Sequence, residues 1–356
     1  MLQFVTIEMG LGLLALAAWP AFRWAFRNLP QERWQFAAVV PLPAASGEDA
    51  PWQGINITYY GLISALAYAS ASGVFVFLAA SVQLPLWSTL SCMVALLGVG
   101  APASRHIARW VEGGQANFTL AGALFAGSLV LPVALFAAVR MDSMLGINGF
   151  NPQVLVAAAA LAYVLGEAIG RLGCLSFGCC YGRPLADVGP LAQSLYGARA
   201  TVYRGRLKKI AYASNLECTP VVPVQSIASV VLFTLFLAGL WLFWQQEFAA
   251  SALLALWGSQ GWRLFSETLR ADYRGGGRIT AYQWMAIATC LIVSVTVFAF
   301  PAGRASVPHF ADGWAGLARI DVLLALQALA ISIVLFMGRS QVTGARVHMQ
   351  LYRDRL

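Results

Sequence analysis

Two short stretches carry most of the chemistry available to this chain. The first, GEAIGRLGCLSFGCCYG (166–182), sets Glu167 and Arg171 four residues apart, which predicts that both sit on one face of a helix. Gly166, Gly170 and Gly173 are interleaved with them, and Cys174, Cys179 and Cys180 follow. The second, GWRLFSETLRADYRGG (261–276), spaces Arg263, Glu267 and Arg270 by four and three residues, again one helical face. An arginine inside an apolar helix is costly and faces a bundle interior or a wet cavity. Each stripe reads either as a self-neutralising ion pair or as half of a shared anion site. A guanidinium presents a rigid fork of donors suited to phosphoryl oxygens, so two arginine sites on different helices point to a phosphate. The glycines either let helices approach closely and narrow that cavity or serve packing alone.

Other polar residues fit the same two readings. Tyr60, in ITYYG (57–61), is an interfacial anchor or a donor to a phosphate. Gln283, in TAYQW (280–284), lines the cavity or bonds to a neighbouring helix. The spacing of Cys174, Cys179 and Cys180 does not match a strong zinc pattern, and His106, His309 and His348 are the whole histidine supply. No metal or cofactor is expected. The three thiols read as small residues in a tight turn, as disulfide partners (Cys218 included) in an oxidising compartment, or as a nucleophile beside Arg171, because positive charge lowers a thiol pKa.

The elements that must position these residues are apolar. Of the 356 residues 59% are hydrophobic and 11% charged, against about 25% charged in soluble domains. That composition implies a polytopic membrane protein. Runs near 4–22, 56–80, 84–101, 120–139, 153–175, 221–243, 249–269, 280–300 and 319–338 are long enough to cross a bilayer. Only helices satisfy the backbone in runs of this length, so the fold class is all-α, a transmembrane helical bundle. The first run contains Glu8 and lacks a basic start, and reads as a retained helix rather than a cleaved signal. Connections 23–55 and 176–220 are long, the latter able to fold as a small surface head, and the tail after 338 is polar and basic. The net charge of +8 is spread over short loops. It reads as topology and headgroup contact, not as a nucleic-acid surface. With nine spans, 18 of the 23 Lys and Arg residues share the side of 176–220, which by the positive-inside rule is cytoplasmic.

These motifs, taken in order, resemble the prolipoprotein diacylglyceryl transferases, in a divergent branch. The family hallmark G-R-x-G-N-F-x-N-x-E-x-x-G aligns with Gly170 to Gly182, keeping Arg171 and three glycines but placing Cys174 at the asparagine and Cys179 at the glutamate. ITYYG resembles H-W-Y-G and makes Tyr60 the counterpart of the functional tyrosine. Arg263, Glu267 and Arg270 resemble R-x-x-x-E-x-x-R, and Thr280 to Gln283 the S-M-G-Q that follows it. Residues 112–122 resemble the H-G-G segment, and Pro223 with Gln225 the H-P-x-Q-L-Y-E motif. The family histidines are missing: Thr58, Leu120 and Val222 stand in their places, with Ala121 for a glycine. A leucine cannot accept a proton, so a histidine-based proton transfer is not available unchanged.

The resemblance implies a seven-helix membrane core at 52–300 with 176–220 as its head. One further helix and loop at 1–51 and another, with the basic tail, at 301–356 are additions. It implies a multi-pass protein of the bacterial inner membrane, acting as a monomer. The activity it implies is transfer of a diacylglyceryl group from phosphatidylglycerol, or another anionic phospholipid, to an acceptor. That acceptor is a lipoprotein cysteine thiol or a different nucleophile, protein or small molecule. Arg171 and Arg263 would hold the phosphate, Glu167 and Glu267 would orient them, and Tyr60 would assist. Arg270, Gln283, Gly170, Gly173, Cys174 and Cys179 would complete the substrate site. Family orientation puts the head outside the cytoplasm, facing the outer leaflet, opposite to the charge rule. A non-catalytic protein that binds or transports anionic lipid is the alternative, and the missing histidines favour it.

Overall fold

The computed structural model describes residues 2–42, 52–113, 119–146, 150–272, 279–300, 307–339 and 346–347. Residues 114–118 of the H-G-G-like segment, Arg304 and most of the basic tail lie outside them. The chain runs α1 (Leu2–Asn28), β1 (Phe36–Leu42), β2 (Trp52–Thr58), α2 (Tyr59–Ser81), α3 (Leu86–Val111), α4 (Leu120–Met144) and α5 (Pro152–Phe177). A head segment follows, with α6 (Pro190–Tyr196), β3 (Thr201–Val202), α7 (Lys209–Ser214) and β4 (Pro220–Val221). The second half holds α8 (Val224–Trp244), α9 (Phe248–Glu267), α10 (Ala281–Ala299), α11 (Phe310–Leu317), α12 (Ile320–Met337) and β5 (Arg346–Val347).

Among the described residues eight helices are long and apolar enough to cross a membrane. Helix α9 is not one of the eight, although it is 20 residues long and packs between α5, α8 and α10. Its polar residues Ser259, Gln260, Arg263 and Ser266 are buried within the bundle rather than turned to lipid. The run read near 84–101 continues as helix to Val111, and the first helix to Asn28. Short strands are an addition to the helical expectation: β1, β2 and β5 form one antiparallel sheet and β3 pairs with β4.

Helix α5 is the axis of the bundle. It starts at Asn151, whose side-chain oxygen accepts from the Gln153 and Val154 amides, with Pro152 at the first helical position. It ends at Gly178, left-handed at φ 72°, a conformation that glycine adopts without cost. Of its best apolar window 67% is buried, against 6% for α1 and α12. Helix α5 therefore faces protein on most sides, and the two terminal helices mainly face lipid. Small residues make this possible: a Cβ at Gly166 would lie 3.0 Å from the Ala71 side chain of α2, so glycine is what lets these helices touch. One apolar core joins α2, α5, α8 and α9. A smaller one, with Leu29, Leu175, Tyr181, Tyr203, Ile210 and Val221, seats the head on the end of the bundle.

The head is also pinned by polar contacts. Lys208, fully buried, donates from Nζ to the carbonyls of Leu29 (3.0 Å) and Ser176 (2.6 Å), joining the ends of α1 and α5. Burial, only partly offset by Glu32, lowers its pKa to about 8. Thr58 caps α2, its hydroxyl oxygen accepting from the Gly61 amide and donating to the Gly338 carbonyl beyond α12.

Candidate functional site

Tyr163, Glu167 and Arg171 recur every fourth residue on α5, and Gln260 and Arg263 are three apart on α9. Because α5 packs on α9, the two faces meet. Glu167 is at the centre. Its Oε1 accepts from Arg263 Nη2 at 2.7 Å and from Arg171 Nη2, and its Oε2 accepts from the Tyr163 hydroxyl. The Tyr163 oxygen in turn accepts from Arg263 Nη2 at 3.0 Å and from Gln260 Nε2 at 3.3 Å. Two arginines from separate helices thus converge on one carboxylate, leaving one net positive charge. Glu167 and Arg263 are 3% and 4% exposed. Within the described residues the Nε–H groups of both Arg171 and Arg263 are buried and find no hydrogen-bond partner, an arrangement that folded proteins avoid without a reason. A Cβ at Gly170 would meet nothing within 4 Å, so the α5 surface is open at that residue.

Arg270 corrects the sequence reading. Helix α9 ends at Glu267, so Arg263, Glu267 and Arg270 do not share one helical face. The chain beyond the helix end instead pairs with the GCCYG loop: Gly182 and Arg270 form a β-bridge, the Arg183 amide donates to the Leu269 carbonyl, and the Ala271 amide to the Tyr181 carbonyl. The Arg270 guanidinium binds Asp272 through Nε (2.8 Å) and Nη2 (2.5 Å), with Glu267 at 3.4 Å. The ion pairs of Arg171 and Arg263 go to Glu167, and Glu267 meets Arg270.

The thiols of Cys174, Cys179 and Cys180 lie within 4.8 Å of one another, and all six cysteines are free. Hydrogen bonds from Cys174 and then Cys179 pull the Cys180 thiol well below the usual cysteine pKa against burial, with Arg270 and Arg171 adding to the pull, while hydrogen bonds with Cys174 and Cys180, and then burial, push the Cys179 thiol well above it. Gln225 donates to the Cys179 carbonyl at 2.8 Å. Tyr60 opens α2 beside this cluster: its ring lies 5.5 Å from that of Phe177, and a Cβ at Gly173 would stand 3.4 Å from it. Gly173 thus makes room for the tyrosine. Gln283 bonds locally. Its Oε1 accepts from the Thr280 amide at 2.9 Å in a capping box, and its Nε2 donates to the Leu264 carbonyl at 3.2 Å, tying α10 to α9.

Sequence reasoning missed Tyr163 and Gln260. Tyr163 was findable, since it lies four residues before Glu167 as Arg171 lies four after. The buried Tyr282–Glu112 hydrogen bond (2.7 Å) was also missed. It joins residues 170 apart in sequence, and no local pattern announces it.

A family model, described as prolipoprotein diacylglyceryl transferase, matches residues 51–299. No curated protein matches the chain.

Proposed function

The chain belongs to the prolipoprotein diacylglyceryl transferase family, and we propose that it transfers a diacylglyceryl group from phosphatidylglycerol to a nucleophile, gripping the donor phosphate with Arg171 and Arg263. At the family level the activity is diacylglyceryl transfer, and the location is the bacterial inner membrane, crossed several times. In our reading α2–α5 and α8–α10 form the seven-helix catalytic core, with α1 and α12 as additions. The convergence of two guanidinium groups on Glu167, with one positive charge in surplus, carries the proposal. A phosphodiester is a single negative charge and matches that surplus.

Glu167 and Tyr163 position the arginines, and the partnerless Nε–H groups supply donors for phosphoryl oxygens. The acceptor bonds to the glycerol carbon as that carbon's bond to the phosphate oxygen breaks. Glycerol phosphate leaves with the electron pair, and the acceptor proton passes to solvent. Charge grows on the leaving phosphate during this step, and fixed guanidinium groups stabilise it without reorganising. Tyr60 donates to the headgroup, while Arg270, Glu267 and Gln283 hold the surrounding backbone. We place the site towards the outer leaflet, following the family orientation. The default acceptor is a lipoprotein cysteine thiol.

Removing one such donor lowers kcat by about 10²–10³. Purified Arg171→Ala and Arg263→Ala are expected to lose turnover of labelled phosphatidylglycerol by that factor. Undiminished turnover by both variants rules out the assignment. A second reading, binding or transport of anionic lipid without chemistry, draws on Thr58, Leu120 and Val222 at the family's histidine positions. Lipid mass spectrometry before and after incubation separates the two, since binding without a new lipid product supports the second.

A further inference from the structure

We propose that Cys174, Cys179 and Cys180 form a three-thiolate site for a thiophilic divalent metal, Zn²⁺ by ligand softness, with its fourth position open to the acceptor thiol. The three sulfur atoms lie within 4.8 Å of one another. With Zn–S bonds of about 2.3 Å, sulfurs around one tetrahedral zinc stand about 3.8 Å apart. The upper limit of 4.8 Å on the three separations includes that spacing. The sequence spacing conceals the site, because neighbouring residues in extended chain point to opposite sides. Here Gly178 turns the chain back over the end of α5 at φ 72°, and Cys180 is itself left-handed at φ 57°. Both thiols then face Cys174 in the last turn of the helix. The loop is held in this shape from outside, by Gln225 on the Cys179 carbonyl and by the bridge from Gly182 to Arg270.

The charge surroundings fit. A divalent ion with three thiolates carries one negative charge; Arg171 lies on α5 three residues before Cys174, and Arg270 bridges to Gly182, two residues beyond Cys180. The cysteines are only partly buried, which leaves a route for metal and acceptor. Three protein ligands and an open position characterise catalytic rather than structural zinc.

The role of the metal rests on the transferase reading; the site itself does not. A thiol bound at the open position loses its proton to solvent and stays nucleophilic as a thiolate. Its sulfur then bonds to the glycerol carbon, the carbon–oxygen bond to phosphate breaks, and glycerol phosphate departs with the electron pair. The metal does the work for which no histidine stands at the family positions.

The test is metal analysis of the full-length protein, purified in detergent under reducing conditions without chelator and titrated with Zn²⁺ alone. About one zinc per chain is expected, with Co²⁺ substitution giving the sulfur-to-metal charge-transfer bands of a tetrahedral thiolate site. Cys179→Ser and Cys180→Ser should lose the metal, whereas Cys218→Ser, at an exposed cysteine outside the cluster, should keep it. Absence of metal from the parent protein, or metal that survives the Cys179→Ser/Cys180→Ser double change, overturns the site. A sulfur-ligated metal with no lipid turnover leaves the site standing and removes the transferase reading. Full turnover after complete removal of the metal by a chelator overturns the proposed role.

Discussion

Replacing Glu167 by Gln tests the shared carboxylate most directly. The amide keeps the shape and one acceptor oxygen but removes the negative charge between Arg171 and Arg263, so the group goes from one surplus positive charge to two. Deleting one partner of a buried ion pair costs about 3–5 kcal/mol. With one acceptor oxygen retained, the lower end, about 3 kcal/mol, is expected, about 4 °C in unfolding midpoint for a chain of 356 residues. A bound phosphate would restore the missing charge. At a hundredfold excess over Kd a ligand adds about 2.7 kcal/mol of stability. Thermal unfolding in neutral maltoside micelles, with and without phosphatidylglycerol, measures both effects. Without anionic lipid Glu167→Gln should unfold a few degrees below the parent, and with it most of the deficit should vanish. The parent gains less, because its carboxylate competes for the same guanidinium groups. An equal deficit in both micelles would show the arginine pair to be structural alone and refute the phosphate grip.

Other perturbations reach different parts of the site. Tyr163→Phe leaves Gln260 and Arg263 short of an acceptor; a loss of about 1–3 kcal/mol is expected in chemical unfolding, with a smaller fall in turnover than Arg263→Ala causes. Gly182→Ala puts a Cβ 2.3 Å from the Val222 carbonyl oxygen. The GCCYG loop must then move, at a cost of about 1–3 kcal/mol or more, and faster alkylation of Cys179 and Cys180 by maleimide reports it. Lys208 has a depressed pKa in the folded state, about 8 against 10.5. Between those values the unfolded chain binds more protons, so stability should rise as pH climbs from about 8 to about 10.5. The rise should be absent from the curve of Lys208→Met, which removes the titrating group, and present in the parent-minus-variant difference, as followed by unfolding midpoints across that range.

What the sequence determined was everything carried by local period. Apolar runs of bilayer length named the helices, because a backbone in lipid must satisfy itself. The four-residue interval named Glu167 and Arg171 as partners, since such residues adjoin on any α-helix. Motif order also identified the family. Tertiary structure decided what depends on where helices stop and on which faces meet. Glu167 takes Arg263 as well as Arg171 only because α5 and α9 pack together, which brings residues 96 apart into contact. Arg270 leaves the arginine stripe because α9 ends at Glu267 and the next residues pair with the GCCYG loop. The amide of Gln283 is drawn into a cap and an inter-helix bond rather than left free. The three thiols, unremarkable as a spacing, meet because two left-handed residues fold the chain back on its own helix end. Period fixes which side chains share a face, but only packing chooses what that face meets.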